Sequence, residues 1–192
     1  MRESAWPALA TDSRRMSRIY PGMERHFASW KNGGGETAEI LCHPEGAGFD
    51  DFDWRISTAK VCQSGPFSVF PGIDRVLTVI EGGAMRLRFE TGERITCHPD
   101  GVPHAFSGEV PCVAELLDEA LLDLNLMVRA PLKGAVYQGG DEVAVEGLLA
   151  AYLFALKDHC ALGLKRHDLQ ELLLRKTIVP EGTLVLTVRC QL

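Results

Sequence analysis

The sequence predicts an all-β protein, and three observations carry that expectation. Apolar-rich runs of about four to eight residues recur along the chain, spaced by turn signals, as in a sandwich or barrel and unlike an α/β fold. Met85-Arg86-Leu87-Arg88-Phe89 alternates apolar and charged side chains, the period of a strand with one wet face. Gly82-Gly83 and Thr91-Gly92 stand between such runs, where hairpins need turns.

Taken in order, residues 1–15 read as an unstructured leader, polar and without period, ahead of a second methionine at Met16. The first strands expected are Thr37 to Cys42 and Asp53 to Val61. Arg75 to Ile80, Ala84 to Phe89, Arg94 to Cys97 and His104 to Phe106 follow. Cys112 to Leu117 and Leu124 to Val128 extend the β region, although the leucines between Glu115 and Leu126 also satisfy a helical period. From Lys133 a second β unit is expected, with strands at Gly134 to Tyr137, Leu148 to Leu156, Cys160 to Leu164, Asp168 to Leu174 and Leu184 to Cys190. Val179-Pro180-Glu181-Gly182 supplies the turn before the last of these.

The 192 residues suffice for one large domain or for two small β units sharing a core. Acidic residues outnumber basic ones by 26 to 20, and no basic run interleaves with aromatics, so nucleic acid is not an expected partner. No apolar stretch reaches the roughly 18–20 residues of a membrane helix, and the charged N-terminus does not read as a signal peptide. A cytoplasmic protein with no membrane partner is expected. The six cysteines (42, 62, 97, 112, 160 and 190) show no C-x-x-C spacing and read as small buried hydrophobes in a reducing compartment.

The most unusual local feature is Trp30-Lys31-Asn32-Gly33-Gly34-Gly35. Each glycine costs roughly 0.5–1 kcal/mol relative to alanine in regular structure, and is tolerated where φ is positive or the backbone passes close to another group. A plain flexible turn is the alternative. Two further islands are Trp54-Arg55-Ile56-Ser57 and Gly65-Pro66-Phe67-Ser68-Val69-Phe70-Pro71-Gly72-Ile73-Asp74-Arg75, and a fourth is Asp123-Leu124-Asn125-Leu126-Met127-Val128-Arg129. In order and spacing, from about Met16 to Arg129, they resemble the HutD/Ves family. Two positions depart from it: Glu119-Ala120 replaces a usual Gly-Pro pair, and His104 stands where an aromatic or small residue is expected.

The resemblance implies a cupin fold, with two cupin-like β-barrels or sandwiches packed as one compact bicupin unit. Residues 16–130 would form the first, carrying the family motifs, and 131–192 a second, smaller β unit completing it. It also implies an association with histidine utilisation. Metal cupins supply an H-x-H and a glutamate from one motif and a last histidine from P-x-G-x-x-H. Pro99-Asp100-Gly101-Val102-Pro103-His104 matches the second motif, but placing the acid at Asp74 puts Phe67 and Val69 at the two histidine positions. One imidazole falls short of the three protein ligands of a catalytic zinc site. No metal and no cofactor are expected, and His104 reads as a cavity-lining or rim residue.

The remaining polar groups point to a small anion. If Trp54 and Ile56 face one side of a strand, Arg55 and Ser57 face the other, and an inward arginine needs a carboxylate from the protein or from a ligand. Asp74 or Asp53 would serve as the internal partner. Lys31, Asn32, Gly33 and Gly34 offer a cation, an amide and backbone N–H groups, as anion-binding nests do. Phe67 and Phe70 would wall the same mouth, Asp74-Arg75 reads as an ion pair at a strand start, and Asn125 shares a face with Met127. With no G-x-S-x-G and no evident nucleophile–base spacing, no catalytic residue is assigned. The expected function is non-catalytic binding of a small anionic metabolite; the family resemblance implies a histidine-degradation acid such as urocanate or formylglutamate, and a regulatory role in histidine breakdown. A metal-independent isomerase or hydrolase acting on a related acid, and an interaction protein with a solid barrel, are the alternatives. A homodimer is the optional further partner.

Overall fold

The computed structural model describes residues 18–144, 147–172 and 176–190, so the expected leader at residues 1–15 lies outside the described residues. In chain order the strands are β1 (Ile19–Tyr20), β2 (Ala28–Ser29), β3 (Gly35–His43), β4 (Trp54–Val61), β5 (Gly65–Pro66) and β6 (Ile73–Gly82). Then come β7 (Met85–Phe89), β8 (Arg94–Cys97), β9 (Pro103–Ser107), β10 (Cys112–Leu116), β11 (Leu121–Arg129) and β12 (Leu132–Gln138). The last are β13 (Glu142–Ala144), β14 (Leu148–Ala155), β15 (Leu169–Glu171), β16 (Lys176–Ile178) and β17 (Thr183–Cys190). They form a six-stranded sheet ordered β2-β3-β4-β11-β6-β9, a four-stranded sheet β5-β10-β7-β8, a five-stranded sheet β1-β15-β14-β17-β12 and the pair β13-β16. Every sheet is open, so the all-β fold is built of cupin-like sandwiches and not of closed barrels.

Side-chain alternation decides the layering. On β11, Leu124, Leu126 and Val128 point to one face, and with Trp54 and Ile56 of β4 they pack on Tyr152, Phe154, Leu184 and Leu186 of the five-stranded sheet. Phe154, Leu184 and Leu186 are fully buried there, each contributing about 1.5–3 kcal/mol of transfer free energy. The opposite face of the six-stranded sheet meets the four-stranded sheet through Leu77, Val79 and Leu121 against Met85, Leu87 and Ala114. Outside the five-stranded sheet, Leu153, Ala155 and Val185 pack against Val143 of β13 and Val179. The six-stranded sheet is therefore a middle layer with two cores. The expected division at residues 130/131 falls between β11 and β12, although β1 crosses it to pair with β15.

Trp54 donates from Nε1 to the Tyr152 hydroxyl at 3.0 Å, joining the two larger sheets inside this core. Tyr152→Phe leaves that indole N–H without a partner, and we expect a loss of about 1–2 kcal/mol in urea unfolding. Glu115 to Leu126 resolves as β10, a turn and β11. Two expectations fail. Cys160 to Leu164 is not a strand: Cys160–Leu162 is a 3₁₀ turn closed by Gly163 in the left-handed region, whose N–H donates to the Cys160 carbonyl. Of Asp168 to Leu174, the described residues 168–172 hold strand at Leu169–Glu171, and 173–174 lie outside the described residues; Asp168 itself is drawn out of the strand, its carboxylate accepting the N–H groups of Gly22 and Lys165, each at 2.8 Å. Cys97 and Cys112 are buried as expected, whereas Cys62, Cys160 and Cys190 are exposed.

Candidate functional site

Beside the apolar core on the face that meets the four-stranded sheet, the six-stranded sheet carries a polar patch, and its register brings distant residues together. Met127 lies opposite Arg55 on one side and Arg75 on the other, Asn125 opposite Ser57, and Asp123 opposite Ala59. These side chains floor a cavity of about 780 Å³, within the size range of small-molecule sites. Trp30, Lys31 and Asn32 from the glycine-rich loop and Phe49, Phe67 and Phe70 from two other loops complete its walls and rim.

Of the residues singled out from sequence, Trp30, Lys31, Asn32, Arg55, Phe67, Phe70, Arg75 and Asn125 line this one cavity. Gly34 lines a smaller pocket of about 210 Å³ that shares Trp30, Asn32, Pro66 and Phe67 with it. Gly33 lines neither and holds the turn at φ +70°. Asp74 also lies elsewhere. Adjacent strand residues face opposite ways, so Asp74 cannot pair with Arg75 and instead accepts from Lys133 of β12 at 2.5 Å. His104 sits on β9 opposite Leu77, outside the cavity lining, with burial lowering its imidazole pKa against the opposing pull of Asp100.

The glycine-rich loop is a built turn and not a slack one. The Asn32 side-chain oxygen accepts the Gly34 N–H at 3.0 Å, the Trp30 N–H donates to the Gly35 carbonyl at 2.9 Å, and Trp30 Nε1 donates to Thr37 Oγ1 at 2.8 Å. The Trp30 ring then meets Phe67 edge-on at 6.4 Å, which sets the aromatic wall.

The two arginines differ. Arg55 donates from Nε to Glu39 at 2.8 Å and from Nη1 to Ser57 Oγ at 3.2 Å, with Phe49 5.0 Å away. Its partner is Glu39, neither Asp53 nor Asp74 as expected. Arg75 is 6% exposed and stacked among Phe67, Phe70 and Phe106 at 5.2, 5.9 and 5.2 Å. Among the described residues it makes no hydrogen bond or direct ion pair, and its Nε is buried unpartnered. Burial lowers its pKa and the more distant Asp123 opposes this. Three ring faces at about 0.5–2 kcal/mol each offset only part of the several kcal/mol that a buried charge costs.

Asp123 and Asn125 each carry a buried side-chain oxygen with no partner among the described residues. Burial pushes the Asp123 carboxyl up to about 7, against the lowering effect of Arg75. Sequence reasoning passed over Asp123, although the alternation that pairs Asn125 with Met127 also includes it. Glu39 carried no such signal, because a bulge at Ile40 decides its direction. Glu39 pairs with Ser57 and Leu41 with Ile56, so the two residues turn to opposite faces instead of sharing one. Among the described residues no group of three or more His, Cys, Asp and Glu side chains could hold a metal ion.

Stacked cupin-like sandwiches with a polar cavity on the middle sheet define a class of small all-β proteins with one candidate ligand site. Comparison with known proteins places the chain within that class. The HutD family model matches residues 22–190, and the chain belongs to the HutD family, which is associated with histidine-utilisation regions. A 21.2 kDa uncharacterized protein from the hutC 3′ region of Pseudomonas putida is 35% identical over 155 residues, 80% of each chain. Protein Ves of Cronobacter sakazakii is 44% identical over 101 residues, 52% of this chain and 54% of that protein. The chain thus spans about half the length of the Ves relatives it matches. HutD from Pseudomonas fluorescens superposes with a TM-score of 0.71 at 27% identity, covering 91% of this chain and 94% of that one. A protein of unknown function from Pseudomonas aeruginosa gives 0.67 at 29% identity over 92% and 94%.

Proposed function

We propose that this protein is a cytoplasmic, non-catalytic receptor for a small carboxylate of histidine breakdown, such as urocanate or formylglutamate, and that occupancy regulates histidine utilisation. One observation carries the reading: Arg75, a buried guanidinium without a hydrogen bond or direct ion pair among the described residues, lines a cavity walled by aromatic rings. A carboxylate supplies the missing acceptors in paired geometry. Ser57 and Asn125 offer further polar contacts, while Trp30, Phe49, Phe67 and Phe70 suit a flat or short ligand body. The family association narrows the acids to histidine-pathway intermediates.

Calorimetry with urocanate and formylglutamate tests this. Arg75→Gln is expected to weaken binding by about 1.5–3 kcal/mol, the worth of a charge-assisted hydrogen bond. Arg55→Gln should cost less, since Glu39 already shares that guanidinium, and Lys31→Ala least, because its side chain is exposed. No heat with any pathway acid would overturn the reading.

A second reading, a metal-independent enzyme acting on the same acids, draws on the Asp123 carboxyl, which titrates near neutrality as a general acid should. Product analysis after overnight incubation with each acid decides between the two: unchanged substrate supports the receptor.

A further inference from the structure

We propose that the cavity floor is two-ended, with Arg75 taking the ligand's carboxylate and the Asp123 carboxyl taking an N–H donor of the same molecule. The site would thereby select acids that carry an N–H group over acids of the same shape that lack one. This rests on the receptor reading above and adds a second pole to it.

The register supplies the spacing. Both arginines leave the sheet opposite Met127, whereas Asp123 leaves it opposite Ala59 and Val79, four residues along β11. At about 3.4 Å per residue those origins lie roughly 13 Å apart along the strand, with Asn125 and Ser57 between them. The floor therefore runs from a cationic end, where Glu39 neutralises Arg55 and, among the described residues, leaves Arg75 free, through a hydrogen-bonding middle to an acidic end at Asp123.

The acidic end is unsatisfied within the protein. Asp123 is 2% exposed, accepts no hydrogen bond from the described residues, and lies too far from Arg75 for a direct ion pair. The Cys97 thiol, which feels the Asp123 charge, is held neutral by burial. A buried carboxyl gains most from a donor that arrives with the ligand, and an amide or imidazole N–H is such a donor. The unpartnered Asn125 oxygen, two residues away on the same face, offers a second acceptor to the same ligand. An acid without an N–H would bury both oxygens still further and leave them unpaired, the situation in which polar sites discriminate most strongly.

The test compares urocanate with cinnamate, which replaces the imidazole by a phenyl ring, by calorimetry at pH 8. Wild type is expected to bind urocanate at least about tenfold more tightly, as loss of one buried polar contact implies. In Asp123→Leu and Asp123→Ala, which remove the acceptor and are each first checked for a cooperative thermal transition, that ratio should collapse toward one. Arg75→Gln should weaken both acids and preserve the ratio. Equal affinity of the two acids for wild type overturns the two-ended floor while leaving the receptor reading intact. A ratio that survives in Asp123→Leu and Asp123→Ala overturns it as well. Failure of wild type to bind either acid removes the receptor reading, and this inference with it.

Discussion

Asp123→Asn is expected to make the unliganded protein more stable than wild type in alkaline solution, by about 4 kcal/mol. The cause is a carboxyl that the folded chain prefers to keep neutral. Burial raises it from 3.8 to about 7, and Arg75 only partly counteracts this. A shift of about three pKa units corresponds to about 4 kcal/mol between protonation states. Because the folded state holds its proton to higher pH than the unfolded chain, the wild type loses stability as pH rises from about 4 to about 7. Below that window the carboxyl is neutral in both states, and asparagine mimics it closely, so wild type and variant should match. Above the window the full penalty stands. Urea unfolding at several pH values should show the gap opening between pH 4 and 7 and then levelling off. A constant gap would mean that folding leaves the Asp123 pKa unshifted, and one that closes with rising pH that Asp123 is stabilised as a charge.

This prediction also marks where the sequence was legible and where it was not. Alternation on β4 and β11 placed Arg55 and Ser57 on one face and Asn125 and Met127 on another strand's matching face, because a period of two survives in any sheet. The same period excludes an Asp74-Arg75 pair, yet adjacency in sequence suggested one. Which strand neighbours which is set by long-range pairing, and only that pairing puts Arg75 and Asp123 on one floor. The bulge at Ile40, which re-aims Glu39 toward Arg55, leaves no mark in composition. Strands of two or three residues such as β1, β2 and β5 are too short to show a period at all. Cys160 to Leu164 failed for the opposite reason: apolar content suggested a strand where the left-handed Gly163 closes a turn.

The three consecutive glycines show the same division between what composition signals and what packing decides. They are not equivalent. Gly33 adopts φ +70° with nothing near the position of an added Cβ, so Gly33→Ala should cost about 1 kcal/mol, the strain of a left-handed alanine. Gly35 has an ordinary φ, but its Cβ would lie 2.3 Å from the Lys60 carbonyl oxygen and 3.1 Å from the Trp30 ring. The carbonyl belongs to β4, whose Val61 pairs with Gly35, so that oxygen cannot rotate away as a side chain would. Relief requires the β3–β4 ends to splay or Trp30 to leave its place. Gly35→Ala should therefore cost about 3 kcal/mol, at the upper end for overpacking. Moving Trp30 also breaks its 2.8 Å bond to Thr37 and its edge contact with Phe67, so the same substitution should reduce ligand affinity. Gly33→Ala changes only the turn and should bind nearly as wild type. Chemical denaturation and calorimetry on both variants test the pair. Equal losses in the two would mean that the run serves only as a flexible turn; the expected inequality makes Gly35 the close approach that seats the aromatic wall, and Gly33 the turn that returns the chain.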